Sequence, residues 1–106
     1  MYGFIKVAAA VPSVRVADCK FNTTQIEGMM ARAEGLGVEI IVFPELSITG
    51  YTCQDLFQQQ ILLEEAETSL LKIMEFSHNL NITTIVGLPL AYDGMLLNCA
   101  AIIQGG

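Results

Sequence analysis

Hydrophobic and polar positions change period along the chain, and the changes predict strands separated by helices. The apolar run Phe4–Ala10 predicts a buried first strand. Thr24 and Glu27 form the T-x-x-E pattern of a capping box, in which each side chain bonds a backbone N–H, so we expect the first helix to begin there. Gly35 and Gly37 supply the permissive backbone with which a helix ends. Between these limits the apolar residues recur at helical spacing: Ile26, Met29, Met30 and Ala33.

The second part of the chain repeats this alternation. Val38–Phe43 is β-branched and mostly apolar, and predicts a strand that ends at Pro44. Leu56–Leu80 has apolar residues on one helical face and predicts a long amphipathic helix.

Two more strands are predicted near the end of the sequence. Ile82–Leu88 is apolar and is closed by Pro89, and Met95–Ile103 is strongly apolar. Asp93 and Gly94 between them form a turn signal that predicts a hairpin. Strands that alternate with helices indicate an α/β fold with a largely parallel sheet that ends in this hairpin.

The composition suggests that part of the surface is meant to be covered. The chain has 106 residues, of which 53% are hydrophobic and 15% are charged. Soluble domains usually contain about a quarter of charged residues. We therefore expect strands that are buried on both faces, or a surface that packs against something outside these residues.

Charge and cysteine content restrict the class of partner and the compartment. The formal charge is −6, with five Lys and Arg against eleven Asp and Glu, so no basic surface is available for nucleic acid. The apolar run at the N-terminus is too short to span a membrane. Three widely spaced cysteines without a CxxC or CxxH pair fit a reducing cytoplasm. A single histidine, His78, cannot build a metal site, so we expect none.

The most informative stretch for chemistry is Val42–Tyr51, because it places Glu45 directly after a buried strand. Ligands bind at this edge of α/β sheets. Pro44 restrains the backbone, and Glu45 is then a candidate general base in an apolar setting. A solvated loop carboxylate is the alternative that position alone leaves open.

These residues resemble a known family. Phe43-Pro-Glu-Leu46 followed by Thr49-Gly-Tyr51 is similar to the first catalytic motif of the nitrilase superfamily, whose members use a Glu, Lys and Cys triad on an α-β-β-α sandwich. Within it, the flanking segments resemble the amidase half of glutamine-dependent NAD synthetases over essentially the whole chain. Those segments are Phe4–Pro12, Val14–Asp18, Gly50–Phe57, Val86–Leu90 and Asn98–Ala101.

The resemblance implies a role for two residues. Glu45 would be the base that takes the proton of a cysteine nucleophile, and Tyr51 would line the glutamine pocket. The thiolate would attack the side-chain amide of glutamine, release ammonia and form a glutamyl thioester that water hydrolyses. The ammonia would pass to a separate ATP- and Mg-dependent domain that amidates nicotinic acid adenine dinucleotide, whereas the amidase segment itself needs no cofactor.

The resemblance also implies that residues 1–106 are the N-terminal segment of a longer carbon-nitrogen hydrolase domain. The triad Lys and Cys are expected after Gly106, so we expect this segment to be inactive alone and to need the remainder of its own, homo-oligomeric enzyme. We do not expect Cys53 to be the nucleophile, because no nearby Lys or His would lower its pKa. Two alternatives stay open: another nitrilase-superfamily amidohydrolase, and a non-catalytic α/β interaction module.

Overall fold

The computed structural model describes residues 3, 5–16, 18–50, 60–92 and 95–106. Within these residues, four strands and two helices follow one another, and a short 3-10 turn (Ser77–Asn79) comes after the second helix. The predicted mixed α/β class is confirmed. In chain order the elements are β1 (Val7–Ala9), α1 (Cys19–Gly35), β2 (Ile40–Val42), α2 (Gln60–Phe76), β3 (Thr83–Tyr92) and β4 (Met95–Ile103).

The four strands form one sheet in the order β1-β2-β3-β4. The first three are parallel, so their carboxyl ends meet at one edge. β3 and β4 are antiparallel from the pair Thr84 and Ile103 to the pair Tyr92 and Met95, which confirms the predicted hairpin. Its turn residues, Asp93 and Gly94, lie outside the described residues.

The helices and the sheet bury one face of each strand. Ile41 of β2 and Val86 of β3 belong to a core shared with Ile26 of α1 and Ile73 of α2. The residues that alternate with these point to the other face, where apolar side chains are exposed. The exposed fraction reaches 60% at Val7, 40% at Val42 and 73% at Ile102. This outward face accounts for part of the high hydrophobic content of the chain.

The predicted start of the first helix was wrong by six residues, because the N-cap is Asp18 and not Thr24. The helix begins at Cys19 and is capped by Asp18, whose Oδ1 accepts from the Phe21 N–H at 3.0 Å. Thr24 lies inside the helix instead, and its hydroxyl donates to the Lys20 carbonyl at 3.0 Å. Both positions carry residues that favour an N-cap. The helical turn between Asp18 and Thr24 includes the fully buried Asn22, and its burial favours the helix that starts at Asp18.

The strand limits also differ from the predictions. β1 and β2 are shorter than predicted, whereas β3 continues through Pro89 to Tyr92. Proline ends a strand only where its missing N–H would have joined a ladder. The Ile85 carbonyl accepts a hydrogen bond from the Phe43 N–H, and the Gly87 carbonyl accepts one from the Ile48 N–H. The backbone groups of these two residues therefore point away from β4. Pro89 has the same orientation by alternation, so its pairing with β4 loses no hydrogen bond.

The long helix is confirmed from Gln60 to Phe76 and then tightens into the 3-10 turn. The predicted positions 56–59 lie outside the described residues. Within the described part of the chain, neither helix is long and apolar enough to cross a membrane.

Burial changes the pKa of one carboxyl group that lies between the helices. Glu27 of α1 and Lys72 of α2 line the same depression. Burial raises the pKa of Glu27 above its usual range, and the Lys72 ammonium partly opposes this shift. A raised pKa means that the folded chain holds this proton at a pH at which the unfolded chain has lost it.

We therefore predict that Glu27 lowers the stability of the fold as pH rises. Between the unfolded and the folded pKa the folded state binds more protons, so the free energy of unfolding falls across that interval and stays lower above it. In Glu27→Gln this fall disappears, so the variant gains stability relative to the wild type as pH rises above the ordinary pKa of a glutamate carboxyl group. Urea unfolding at several pH values measures this. Glu67→Gln on the exposed face of α2 controls for the loss of one carboxylate, and parallel curves for Glu27→Gln and the wild type would contradict the prediction.

Candidate active site

Glu45 lies in a tight turn directly after β2, at the edge where the parallel strands end. The last strand-like bond joins the Phe43 N–H to the Ile85 carbonyl at 2.9 Å. The turn then closes on itself, since the Ser47 N–H donates to the Pro44 carbonyl at 3.2 Å. Leu46 has a φ of 54°, which is uncommon for a residue with a side chain, and its side chain is buried. The surroundings therefore hold the turn in a conformation that it would otherwise avoid.

The turn lies directly against the backbone of β3 at Gly87. A Cβ at Gly87 would lie 2.5 Å from the Leu46 nitrogen and 3.0 Å from both the Glu45 carbonyl carbon and the Pro44 oxygen. Two hydrogen bonds fix the contact: Ile48 N–H donates to the Gly87 carbonyl at 3.2 Å, and Gly87 N–H donates to the Ser47 hydroxyl at 3.3 Å. The absence of a side chain at this position thus allows the approach that positions Glu45.

A buried asparagine anchors the other end of the same loop. Asn22 of α1 donates from Nδ2 to the Ile48 carbonyl at 2.7 Å and to the Arg15 carbonyl at 2.8 Å, and its Oδ1 accepts from the Arg15 N–H at 2.7 Å. Nearby, a Cβ at Gly50 would lie 3.3 Å from the Val16 Cα, and the φ of Gly50 is 90°. The loop that follows Glu45 therefore contacts three parts of the chain: α1, the segment that precedes α1, and β3.

The Glu45 carboxylate has a partner across the sheet. Asn98 of β4 donates from Nδ2 to Glu45 Oε1. Both side chains are exposed, so the expectation of an apolar setting is wrong for the carboxylate itself. The walls beside it are nevertheless mainly apolar. They enclose a surface depression of about 350 Å³ lined by Val42, Phe43, Pro44, Glu45, Ile85, Val86, Gly87, Asn98, Cys99 and Ala100.

A second depression, of about 360 Å³, lies between the helices on the other side of the sheet. Its lining combines Lys20 and Lys72 with Glu64 and Glu65, so charges of both signs balance there. All of its lining residues belong to α1 and α2, and none belongs to a strand or to the turn that carries Glu45. Position and chemistry therefore favour the depression beside Glu45 as the candidate active site.

Among the described residues, the other candidates considered from the sequence do not contact Glu45. Tyr51 and Cys53 lie outside the described residues, so the pocket role of Tyr51 stays a prediction. Cys99 is a half-buried thiol next to Asn98 along β4, and neighbours in a strand point to opposite faces, so its thiol points away from Glu45. His78 is exposed and its Nδ1 lies 3.1 Å from the Gly105 carbonyl oxygen. Over the described ranges, no three His, Cys, Asp or Glu side chains cluster in a way that could hold a metal ion.

Comparison with known proteins decides the family. The carbon-nitrogen hydrolase family matches residues 6–106. The chain belongs to this family.

Similar carbon-nitrogen hydrolase sequences occur in glutamine-dependent NAD(+) synthetases. That of Mycobacterium leprae is 34% identical over 104 residues, which is 98% of this chain and 15% of the relative. The enzyme of Aquifex aeolicus is 40% identical over 67 residues, which is 63% of this chain and 12% of the relative. The chain therefore spans only a small part of the curated relatives that it matches.

Two solved structures share the fold of this chain. A glutamine-dependent NAD(+) synthetase from Cytophaga hutchinsonii superimposes with a TM-score of 0.82 and 31% identity, over 95% of this chain and 17% of that one. An amidase from Nesterenkonia sp. superimposes with a TM-score of 0.80 over 95% of this chain and 38% of that one. The identity to the amidase is 19%, so this likeness shows the fold alone.

Sequence reasoning singled out Glu45 but missed two other residues of the candidate site. Gly87 and Asn98 were noted only within segments that resemble the family. A signal for Asn98 was present, because it is the only amide or charged residue in Met95–Ile103. Gly87 likewise interrupts a β-branched strand, and an isolated glycine in a strand often marks a close backbone approach.

We predict that Gly87→Ala displaces the Glu45 turn. The added methyl group would meet backbone atoms, which cannot rotate away, so we expect a loss of about 1–3 kcal/mol in the free energy of unfolding. Gly28→Ala is the matched control, because nothing lies within 4 Å of a Cβ there and the helix position should gain about 0.5–1 kcal/mol. Urea unfolding measures both. Equal stability of Gly87→Ala and the wild type would contradict the close approach.

Proposed function

We propose that this chain is the N-terminal part of the glutaminase unit of a glutamine-dependent NAD synthetase, with Glu45 as its general base. The observation that supports this most directly is the place of Glu45 on a turn anchored to β3, at the ligand-binding edge of the sheet. Membership of the carbon-nitrogen hydrolase family and the similarity to NAD synthetases over nearly the whole chain support the same proposal.

In this proposal Glu45 moves protons between a cysteine thiol and the substrate. The carboxylate takes the thiol proton, and the thiolate attacks the side-chain amide carbon of glutamine. The tetrahedral intermediate then breaks its C–N bond, and the nitrogen leaves as ammonia with the proton that Glu45 held. A glutamyl thioester remains. Glu45 next takes a proton from water, whose oxygen attacks the thioester, and the sulfur leaves and recovers the proton as glutamate is released.

The other groups of the site belong to the remainder of the enzyme. A lysine stabilises the negative charge on the tetrahedral intermediate, and a cysteine supplies the nucleophile. We further propose that the remainder of the domain covers the outward face of the sheet, where Val7, Val42 and Ile102 are exposed. Tyr51 lines the glutamine pocket in this arrangement. ATP and Mg act only in the synthetase domain, and the enzyme is cytoplasmic.

The experiment that tests this proposal measures ammonia release from glutamine by three proteins: the 106-residue chain, the full-length enzyme, and its Glu45→Gln variant. We expect no release by the chain, release by the full-length enzyme, and a kcat about 10²–10⁴-fold lower in the variant, which has lost its general base. Glu39→Gln removes an exposed carboxylate at the opposite end of β2 and should leave the rate unchanged.

Two outcomes would contradict the proposal. Turnover by the 106-residue chain, abolished by Glu45→Gln, would show that the site is complete without further residues. A full-length enzyme that hydrolyses simple aliphatic or carbamoyl amides but not glutamine would belong to another branch of the superfamily. Determining the coding sequence beyond the codon for Gly106 adds an independent check, because the proposal requires a lysine in a PK motif, a later cysteine and an SGGxDS loop.

A further inference from the structure

Asn98 is an unusual residue for its strand. It is the only side chain of β4 with an amide or a charge, and asparagine is disfavoured in strands. It pairs with Pro89 of β3, two pairs along the antiparallel ladder from the pair of Gly87 and Ala100. Asn98 therefore lies beside the place where the Glu45 turn contacts the sheet.

The orientation of the Asn98 amide follows from its partner. An ionised carboxylate can only accept hydrogen bonds, so the nitrogen of the amide must face Glu45. The contact uses Oε1 of Glu45 and leaves Oε2 for a donor from the substrate side. Since the Glu45 side chain is exposed, the packing around it does not select one rotamer. Among the described residues, Asn98 is the one whose side chain bonds the Glu45 carboxylate and restrains it.

We infer that Asn98 is a positioning residue for Glu45, whose side-chain amide holds Oε1 so that the carboxylate stays oriented for proton transfer. This inference rests on the proposed function of Glu45. Asn98 takes no proton and touches no reacting atom; it acts through the position of the carboxylate. The backbone of Glu45 is fixed by the contact with Gly87, and Asn98 fixes the end of the side chain.

A positioning role has a distinct kinetic signature. A displacement of about 1 Å can cost about 10²-fold in rate, whereas one exposed hydrogen bond contributes little to the stability of a fold. Asn98→Leu in the full-length enzyme should therefore lower kcat for glutamine hydrolysis about 10–100-fold, with a nearly unchanged KM and a nearly unchanged urea midpoint. Asn98→Gln retains the amide donor at an exposed position and should recover part of the loss.

The decisive comparison repeats Asn98→Leu in the Glu45→Gln background, at enzyme concentrations that make the residual turnover measurable. If Asn98 acts through Glu45, the second substitution causes no further loss of kcat. Asn81→Leu makes the same replacement at an exposed position before β3 and should leave kcat unchanged in both backgrounds. An equal loss from Asn98→Leu with and without Glu45 would overturn the inference, as would a kcat that Asn98→Leu does not change.

A second readout separates this inference from the proposed function. In the 106-residue chain, the NMR signals of the Asn98 side-chain amide protons should shift in Glu45→Gln, because the bond to a carboxylate is replaced by one to a neutral amide. Full-length enzyme that leaves glutamine intact would defeat the proposed function without affecting this signal. Asn98 amide signals that are identical in the wild type and in Glu45→Gln would overturn the inference itself.

Discussion

The contact between the Pro44–Leu46 turn and the backbone of β3 at Gly87 is the constraint on which the candidate site depends. β2 ends at Val42, and without this contact the following residues would form a loop at the edge of the sheet. Two hydrogen bonds to Gly87 and the buried Asn22 hold the loop instead, and Leu46 accepts a left-handed backbone within it. A general base needs such a rigid support, because proton transfer depends strongly on geometry.

The two faces of the sheet differ in burial. The inner face packs against both helices and supplies the core that holds the strands in register. The outward face keeps Val7, Val42 and Ile102 exposed in this chain, and Glu45 and Asn98 are exposed as well. Apolar surface next to a carboxylate and its amide partner fits a site that a further part of the same domain completes. The chain spans 15% of its M. leprae relative, so most of that relative lies outside it.

The elements of the fold were predictable from the sequence, because they depend on local strand and helix periods. The position of Glu45 was predictable as well, because it directly follows a strand. The start of α1 was not, since Asp18 and Thr24 are both suitable caps and tertiary packing of Asn22 decides between them. The roles of Gly87 and Asn98 were not either, since each depends on cross-strand register and on where the turn folds back. Tyr51 was predicted from the resemblance alone and lies outside the described residues.

In the proposed function, the sheet edge holds the Glu45 carboxylate ready for proton transfer with a thiol. A crystal structure of the full-length enzyme with an electrophilic glutamine analogue bound to its cysteine tests this most directly. We expect one Glu45 carboxylate oxygen to lie within about 3.5 Å of the cysteine sulfur while the other accepts a hydrogen bond from Asn98. A Glu45 side chain that points to solvent, with a different carboxylate beside the sulfur, would contradict it.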